Sequence, residues 1–413
     1  MFSFHHVLPL FLVVLLPSPF CVGNLLNDTE ILNLPILASS SSPKWVNVDY
    51  YGAKGDGSDD SQAFKKAWEV ACAAKNGILW VPRNRVYLLK PTTFSGPCNS
   101  VSTVRIYGTI KASRNPSDYH KSAGHWLLFQ NIRNFRVEGS GTIDGSGEIW
   151  WKNSCKINPN RPCKDAPTAV TFYGCNYLSV SGIRVQNPQQ MHMVFEKCVN
   201  VNAWNLKVIA PETSPNTDGI HITDTQNIQV SKSTIKTGDD CISIVDGAAN
   251  VRVMDIDCGP GHGISIGSLG KHNSRDLVSN VNVNGVRFSG TTNGVRIKTW
   301  QGGSGYAKDI VFQNIAMTNV KNPIIVDQNY CDQNKPCNTQ WSAVQVENVR
   351  YINIKGSSAS EEAITFDCSG SFPCKEITLQ DIVLVRQSPE TAPKASCQNV
   401  KLKKLGTVWP ACS

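Results

Sequence analysis

The chain has 413 residues, of which 41% are hydrophobic and 17% charged, with 31 Gly and 22 Pro. This composition excludes a disordered or collagen-like chain and leaves room for a large core. The net charge of +8 suits an acidic partner, but Lys and Arg are scattered without a dense basic block, which argues against a nucleic-acid partner.

Residues 1–23 read as a secretory signal. An apolar run from Val7 to Leu16 precedes Pro17, Ser18 and Pro19 and the small residues near Gly23. The run is too short to span a bilayer, and no later segment is long and apolar enough, so no membrane contact is expected once the signal is removed. Cleavage after Gly23 would remove Cys21 and leave an even 14 of the 15 cysteines, as in a disulfide-bearing exported protein. Short loops nominate Cys331–Cys337, Cys368–Cys374 and Cys397–Cys412, with Cys241–Cys258 as a further pair. No CxxC cluster with a matching His pair appears, so no metal is expected. Residues 24–45 form a Ser-rich flexible leader carrying the sequon Asn27-Asp28-Thr29.

Residues 46–413 are expected to fold as one domain. Phe64, Trp68, Ala71 and Cys72 follow helical spacing, so the sequence predicts an amphipathic helix capped by Asp59 or Asp60 and ending near Asn76-Gly77. The pattern then changes to short alternating β-branched runs opened by Asn or Asp, at Asn134, Asn176, Asn200, Asn227, Asn250, Asn280, Asp309 and Asn348. From Asn176 the starts lie 24, 27, 23, 30, 29 and 39 residues apart. Alternation with such a period predicts an all-β solenoid, best a parallel β-helix whose open N-terminal end the early helix caps. A propeller is the runner-up, without its Trp-Asp signature.

Four polar clusters interrupt this repeat: Asn216-Thr217-Asp218, Gly238-Asp239-Asp240, Gly261-His262-Gly263 and Arg296-Ile297-Lys298. Asp218 to Asp240 is 22 residues, and Asp240 to His262 another 22, about one coil each. Equivalent positions on successive coils stack, so these residues should share a face. Lys298 lies 36 residues past His262, which fits one coil with a longer loop. Arg296 and Lys298 alternate with Ile297, so both cations should point outward. Each cluster alone reads as a solvated turn or strand face; their common register singles them out. Crowded carboxylates can supply both a protonated acid and an ionised base, as glycosidic hydrolysis requires. Arg296 as a fork and Lys298 as a point charge would hold an acidic sugar.

With Ser214-Pro215-Asn216-Thr217-Asp218-Gly219, Thr237-Gly238-Asp239-Asp240-Cys241, Cys258-Gly259-Pro260-Gly261-His262-Gly263 and Arg296-Ile297-Lys298-Thr299, the chain resembles the plant-type polygalacturonases from about Val46 on. That resemblance implies a right-handed, single-stranded parallel β-helix and a secreted monomer of the cell wall that cleaves the 1,4-α-galacturonosyl linkages of homogalacturonan with inversion. It also implies that Asp239 is the general acid, that Asp218 and Asp240 hold and activate water, and that His262 tunes the acid. Arg296, Lys298, Tyr330 and Asn216 would bind substrate, no cofactor is needed, and Cys241–Cys258 is the family's pairing. One expectation conflicts: direct stacking of Asp218 and Asp239 would put them about 4.8 Å apart, closer to the spacing of retaining enzymes. The segment Val245-Asp246-Gly247-Ala248-Ala249 departs from the family's Gly-rich turn. A pectate lyase or a non-catalytic pectin-binding relative is the alternative.

Overall fold

The computed structural model describes residues 42–412, apart from 121–123, 159, 161–165, 333–336 and 389–390. The signal segment, the sequon at Asn27 and most of the leader lie outside the described residues. Ordered pairing starts at Lys44, two residues before the expected boundary, where strand Lys44–Asn47 runs parallel to Gly77–Val81.

The strands stack in register, coil upon coil, as a right-handed parallel β-helix. Among the described residues, nineteen strands form one strongly bent sheet and eleven form a second. Each side-chain position on one coil meets its equivalent on the next. In the eleven-stranded sheet the inward row reads Phe94, Phe129, Phe172, Phe195, Ile222, Ile244, Ile266, Ile297, Val326 and Phe366. All ten are buried, and the first four rings stack with centroids 4.8–5.4 Å apart. At about 1.5–3 kcal/mol per large apolar side chain, such rows supply most of the drive for coiling.

The Asn residues that open the runs occupy a sharp corner between sheets. Asn200, Asn227, Asn250 and Asn280 have φ of 53–59°. That left-handed conformation favours Asn, whose amide can also bond locally. Here each amide donates to the previous coil: Asn227 to Asn200 at 3.1 Å, Asn250 to Asn227 at 2.9 Å and Asn280 to Asn250 at 2.6 Å. One assignment moves by a residue. The corner position expected at Asn176 is held by Tyr177 (φ 55°), because Asn176 pairs with Arg133 and Val199 as the first strand residue.

The predicted helix spans Ser61–Ala73 and covers the N-terminal end. Trp68 meets Phe94 and Phe135 edge-on at 5.6 and 5.8 Å, and Phe64 meets Tyr87 at 5.3 Å. Its two candidate caps divide the work. Asp60 occupies the cap position but turns its carboxylate to the Lys54 and Gly55 amides, while Asp59 accepts from the Ser61 amide at 3.0 Å. The helix stops at Ala73, ahead of Asn76-Gly77.

All four nominated disulfides form, together with Cys72–Cys98, which ties the helix to the loop beyond the strand Thr92–Ser95. Full pairing of the cysteines does not hold. Cys175 and Cys198 are free thiols at matching positions of adjacent coils, both buried and directed at the carbonyls of Phe129 and Phe172. Among the described residues no helix is long and apolar enough to cross a membrane.

Candidate active site

A cleft of about 970 Å³ runs along the eleven-stranded sheet, where the loops entering its strands meet the outward faces of the strands themselves. Two stacked rows build its floor. Pairing of Ile220 with Ile242 and Ile264 aligns Asp218, Asp240 and His262 on three successive coils. The Gly219 amide donates to the Asp240 carbonyl at 2.9 Å, which locks this alignment. Three residues further on, His221, Ser243, Ser265 and Arg296 form the second row. The motif glycines permit the close approach: a Cβ on Gly238 would lie 1.9 Å from the Ser214 carbonyl oxygen, and one on Gly263 2.1 Å from that of Asn293.

Each aspartate of the first row reaches the second row of the next coil. Ser243 Oγ donates to Asp218 Oδ2 at 2.8 Å, and Ser265 Oγ donates to Asp240 Oδ1 at 2.8 Å. Asp240, 1% exposed, also accepts from Arg296 Nη2 at 2.8 Å and Lys298 Nζ at 3.0 Å. Asp239 sits one residue off the row. Its Oδ1 faces His262 Nδ1 at 3.0 Å and the Asp240 amide at 2.8 Å, and Asn216 Nδ2 donates to its Oδ2 at 3.4 Å. Tyr330 lies beneath Lys298, whose ammonium stands 5.4 Å from the ring centroid. All eight residues singled out from the sequence line this one cleft.

Two expectations change. The coil equivalent of His262 is Asn293; Lys298 lies five residues further along the strand and enters the site across the cleft. The directly stacked carboxylates are Asp218 and Asp240, so the coil rise does not set the spacing between Asp218 and Asp239. The cations also have a resting role that the spacing did not reveal, since both ion-pair with Asp240.

The carboxylates differ in proton affinity. Burial, then the charges of Asp239 and Asp240, hold the Asp218 carboxyl well above the usual range. Burial also pushes Asp239 up, but the hydrogen bond and charge of His262, helped by Lys298, outweigh it and hold this group below its usual value. Asp239, Asp240 and His262 bring three potential ligand atoms within 4.8 Å of one another. Arg296 and Lys298 already neutralise this cluster, which disfavours a further cation there.

The sequence reading missed His221, Ser243 and Ser265. The signal was present: each follows its first-row partner, Asp218, Asp240 or His262, by the same three residues.

A β-helical groove that brings three carboxylates, an imidazole and two cations together has the equipment of a glycoside hydrolase. The profile of the glycosyl hydrolases family 28 matches residues 72–408, and the chain belongs to that family. It is 56% identical to Polygalacturonase QRT2 of Arabidopsis thaliana over 394 residues, covering 95% of this chain and 89% of the relative. It is 53% identical to Polygalacturonase-2 of Solanum lycopersicum over 372 residues, covering 90% of this chain and 81% of the relative. The fold matches the solved polygalacturonase of Erwinia carotovora at a TM-score of 0.73 and 22% identity, over 88% of this chain and 98% of that one.

Proposed function

We propose that this protein hydrolyses the 1,4-α-galacturonosyl linkages of polygalacturonate, with Asp239 as general acid and Asp218 and Asp240 holding the attacking water. The observation that carries this reading is the convergence of three carboxylates, one imidazole and two cations on one cleft. Its disulfides fit an oxidising extracellular compartment, and an acidic wall polysaccharide fits its net positive charge.

His262 Nδ1, 3.0 Å from Asp239 Oδ1, tunes the acid. When substrate displaces water, the loss of solvent raises the proton affinity of Asp239, which delivers its proton to the leaving oxygen. Asp240 accepts from Ser265 and Arg296 on Oδ1 and from Lys298 on Oδ2, which leaves an Oδ2 lone pair to position water while the ion pairs hold the group back from attacking carbon. Burial opposes the Asp218 anion, so this group is equally unsuited to attack. Water is left as the nucleophile, and the product inverts. Arg296 and Lys298 use their remaining N–H donors to hold the sugar carboxylate, and Tyr330 and Asn216 complete the binding surface.

Incubation with de-esterified pectin should release reducing ends, and NMR should show inversion in the first-formed anomer. Unsaturated products absorbing near 235 nm would support a lyase instead, and binding without reducing ends would support a non-catalytic relative.

A further inference from the structure

The reading above leaves one step without a path: Asp218 must be ionised to accept a proton from water, and burial opposes its anion. The second row supplies the path. His221 Nδ1 lies 2.8 Å from Ser243 Oγ, and the same hydroxyl lies 2.8 Å from Asp218 Oδ2. Ser243 is buried between the two, whereas His221 is half-buried and lines the cleft. The chain of contacts therefore runs from a buried carboxyl to a ring at the edge of the groove.

We propose that His221 and Ser243 are positioning residues for Asp218, forming a relay that carries its proton to the imidazole. Asp218 O–H donates to Ser243 Oγ as the Ser243 hydroxyl proton passes to His221 Nδ1. Asp218 becomes a carboxylate, Ser243 is unchanged in protonation and His221 becomes an imidazolium. After turnover Asp218 holds the proton taken from water, and His221 releases its own to solvent in the groove, which restores the resting state. This proposal rests on the hydrolase reading and adds the source of its ionised base.

The surrounding charges set how far the exchange proceeds. Burial, Asp239 and Asp240 oppose the Asp218 anion, while Ser243 and Lys298 favour it. Burial pushes the His221 imidazole down to about 4, Asp240 opposes that change and Lys298 reinforces it. A carboxyl held high and an imidazole held low make the transfer uphill, so the ionised Asp218 is a minor state formed only as water is activated. Ser243 occupies the Asp218 side of the row; Ser265, its equivalent one coil on, is committed to Asp240 and Arg296. The two serines therefore serve different carboxylates.

The test pairs Ser243→Ala with Ser243→Thr, which restores a hydroxyl. Loss of the hydroxyl removes a donor to the Asp218 anion, so ionisation should require higher pH. Expected for Ser243→Ala are kcat lower by about 10- to 100-fold, KM within about twofold and an acid limb of the kcat profile moved to higher pH. Ser243→Thr should recover both rate and limb. Nitrogen NMR of resting protein supplies a readout independent of turnover: the His221 Nδ1 signal should respond as Asp218 titrates in the wild type and lose that response in Ser243→Ala. An unmoved acid limb and an unchanged Nδ1 response would overturn the relay while leaving the hydrolase reading intact, provided Asp239→Asn is inactive. Wild-type protein that releases no reducing ends would overturn the hydrolase reading, and the Nδ1 response would still decide whether the relay exists.

Discussion

The three aspartates are chemically distinct because their neighbours differ. Asp239→Asn keeps the hydrogen-bonding shape beside His262 and Asn216 but removes the delivered proton. We expect at least about a 10³-fold loss in kcat with an unchanged melting temperature, measured by reducing-end release and calorimetry; near-wild-type turnover would refute the assignment. Asp218→Asn should behave differently. The raised folded-state affinity of Asp218 for a proton makes its ionisation a cost to the fold, fully present above its folded value and absent below its unfolded value of about 3.9. The amide should therefore raise the melting temperature at neutral pH, with the gain shrinking as pH falls towards 4, while turnover is lost. Lys298→Ala leaves the buried Asp240 carboxylate with one cation instead of two, and should destabilise by up to about 3 kcal/mol as well as weaken substrate binding. The double variant Lys298→Ala with Asp240→Asn should recover most of that stability in urea titrations. The 22-residue spacing exposed Asp218, Asp240 and His262 as neighbours because coil length converts directly into stacking. It did not expose the Asp240 ion pairs, since Arg296 and Lys298 arrive along a different strand and side-chain partners are not encoded in spacing.

At the level of the coil, the corner asparagines carry two separable burdens: a left-handed backbone and an amide ladder. Asn250 has φ of 55° and bonds both Asn227 and Asn280. Asn250→Gly loses the ladder but keeps the conformation, whereas Asn250→Ala loses the ladder and strains the backbone. Alanine should be the worse replacement by about 1–2 kcal/mol in denaturant titration; the opposite order would mean that the chain entropy of glycine outweighs the left-handed strain of alanine. These corners made the repeat legible in the sequence, because few residues tolerate that backbone. Tyr177 hid one corner for the same reason in reverse: a bulky residue is held at φ 55° by in-register pairing on both sides, against its local preference. Asp59 and Asp60 show a similar limit. Both residue types suit a cap, and only the nearby Lys54 and Gly55 amides decide which carboxylate turns away.

Across the whole molecule, each coil touches only its neighbours, so a disturbance should spread one coil at a time. The N-terminal end tests this. The helix Ser61–Ala73 covers the first coils, with Trp68 packed on Phe94 and Phe135 and Cys72 bonded to Cys98. That bond closes a sequence separation of 26 residues, for which loop-closure entropy gives roughly 3 kcal/mol. Replacing both cysteines by serine should therefore loosen the helix and the coils beneath it. The site coils between Asp218 and Lys298 lie several strands away and make their own contacts through Ser243, Ser265 and the Cys241–Cys258 bond. Hydrogen exchange should accordingly rise in the helix and in strands as far as Thr142–Asp144, with little change from Ile220 to Thr299, and kcat at moderate temperature should stay within about twofold. Exchange rising equally along the chain would show that the solenoid unfolds as one cooperative block, and the cap would then govern the stability of the active site as well as its own end.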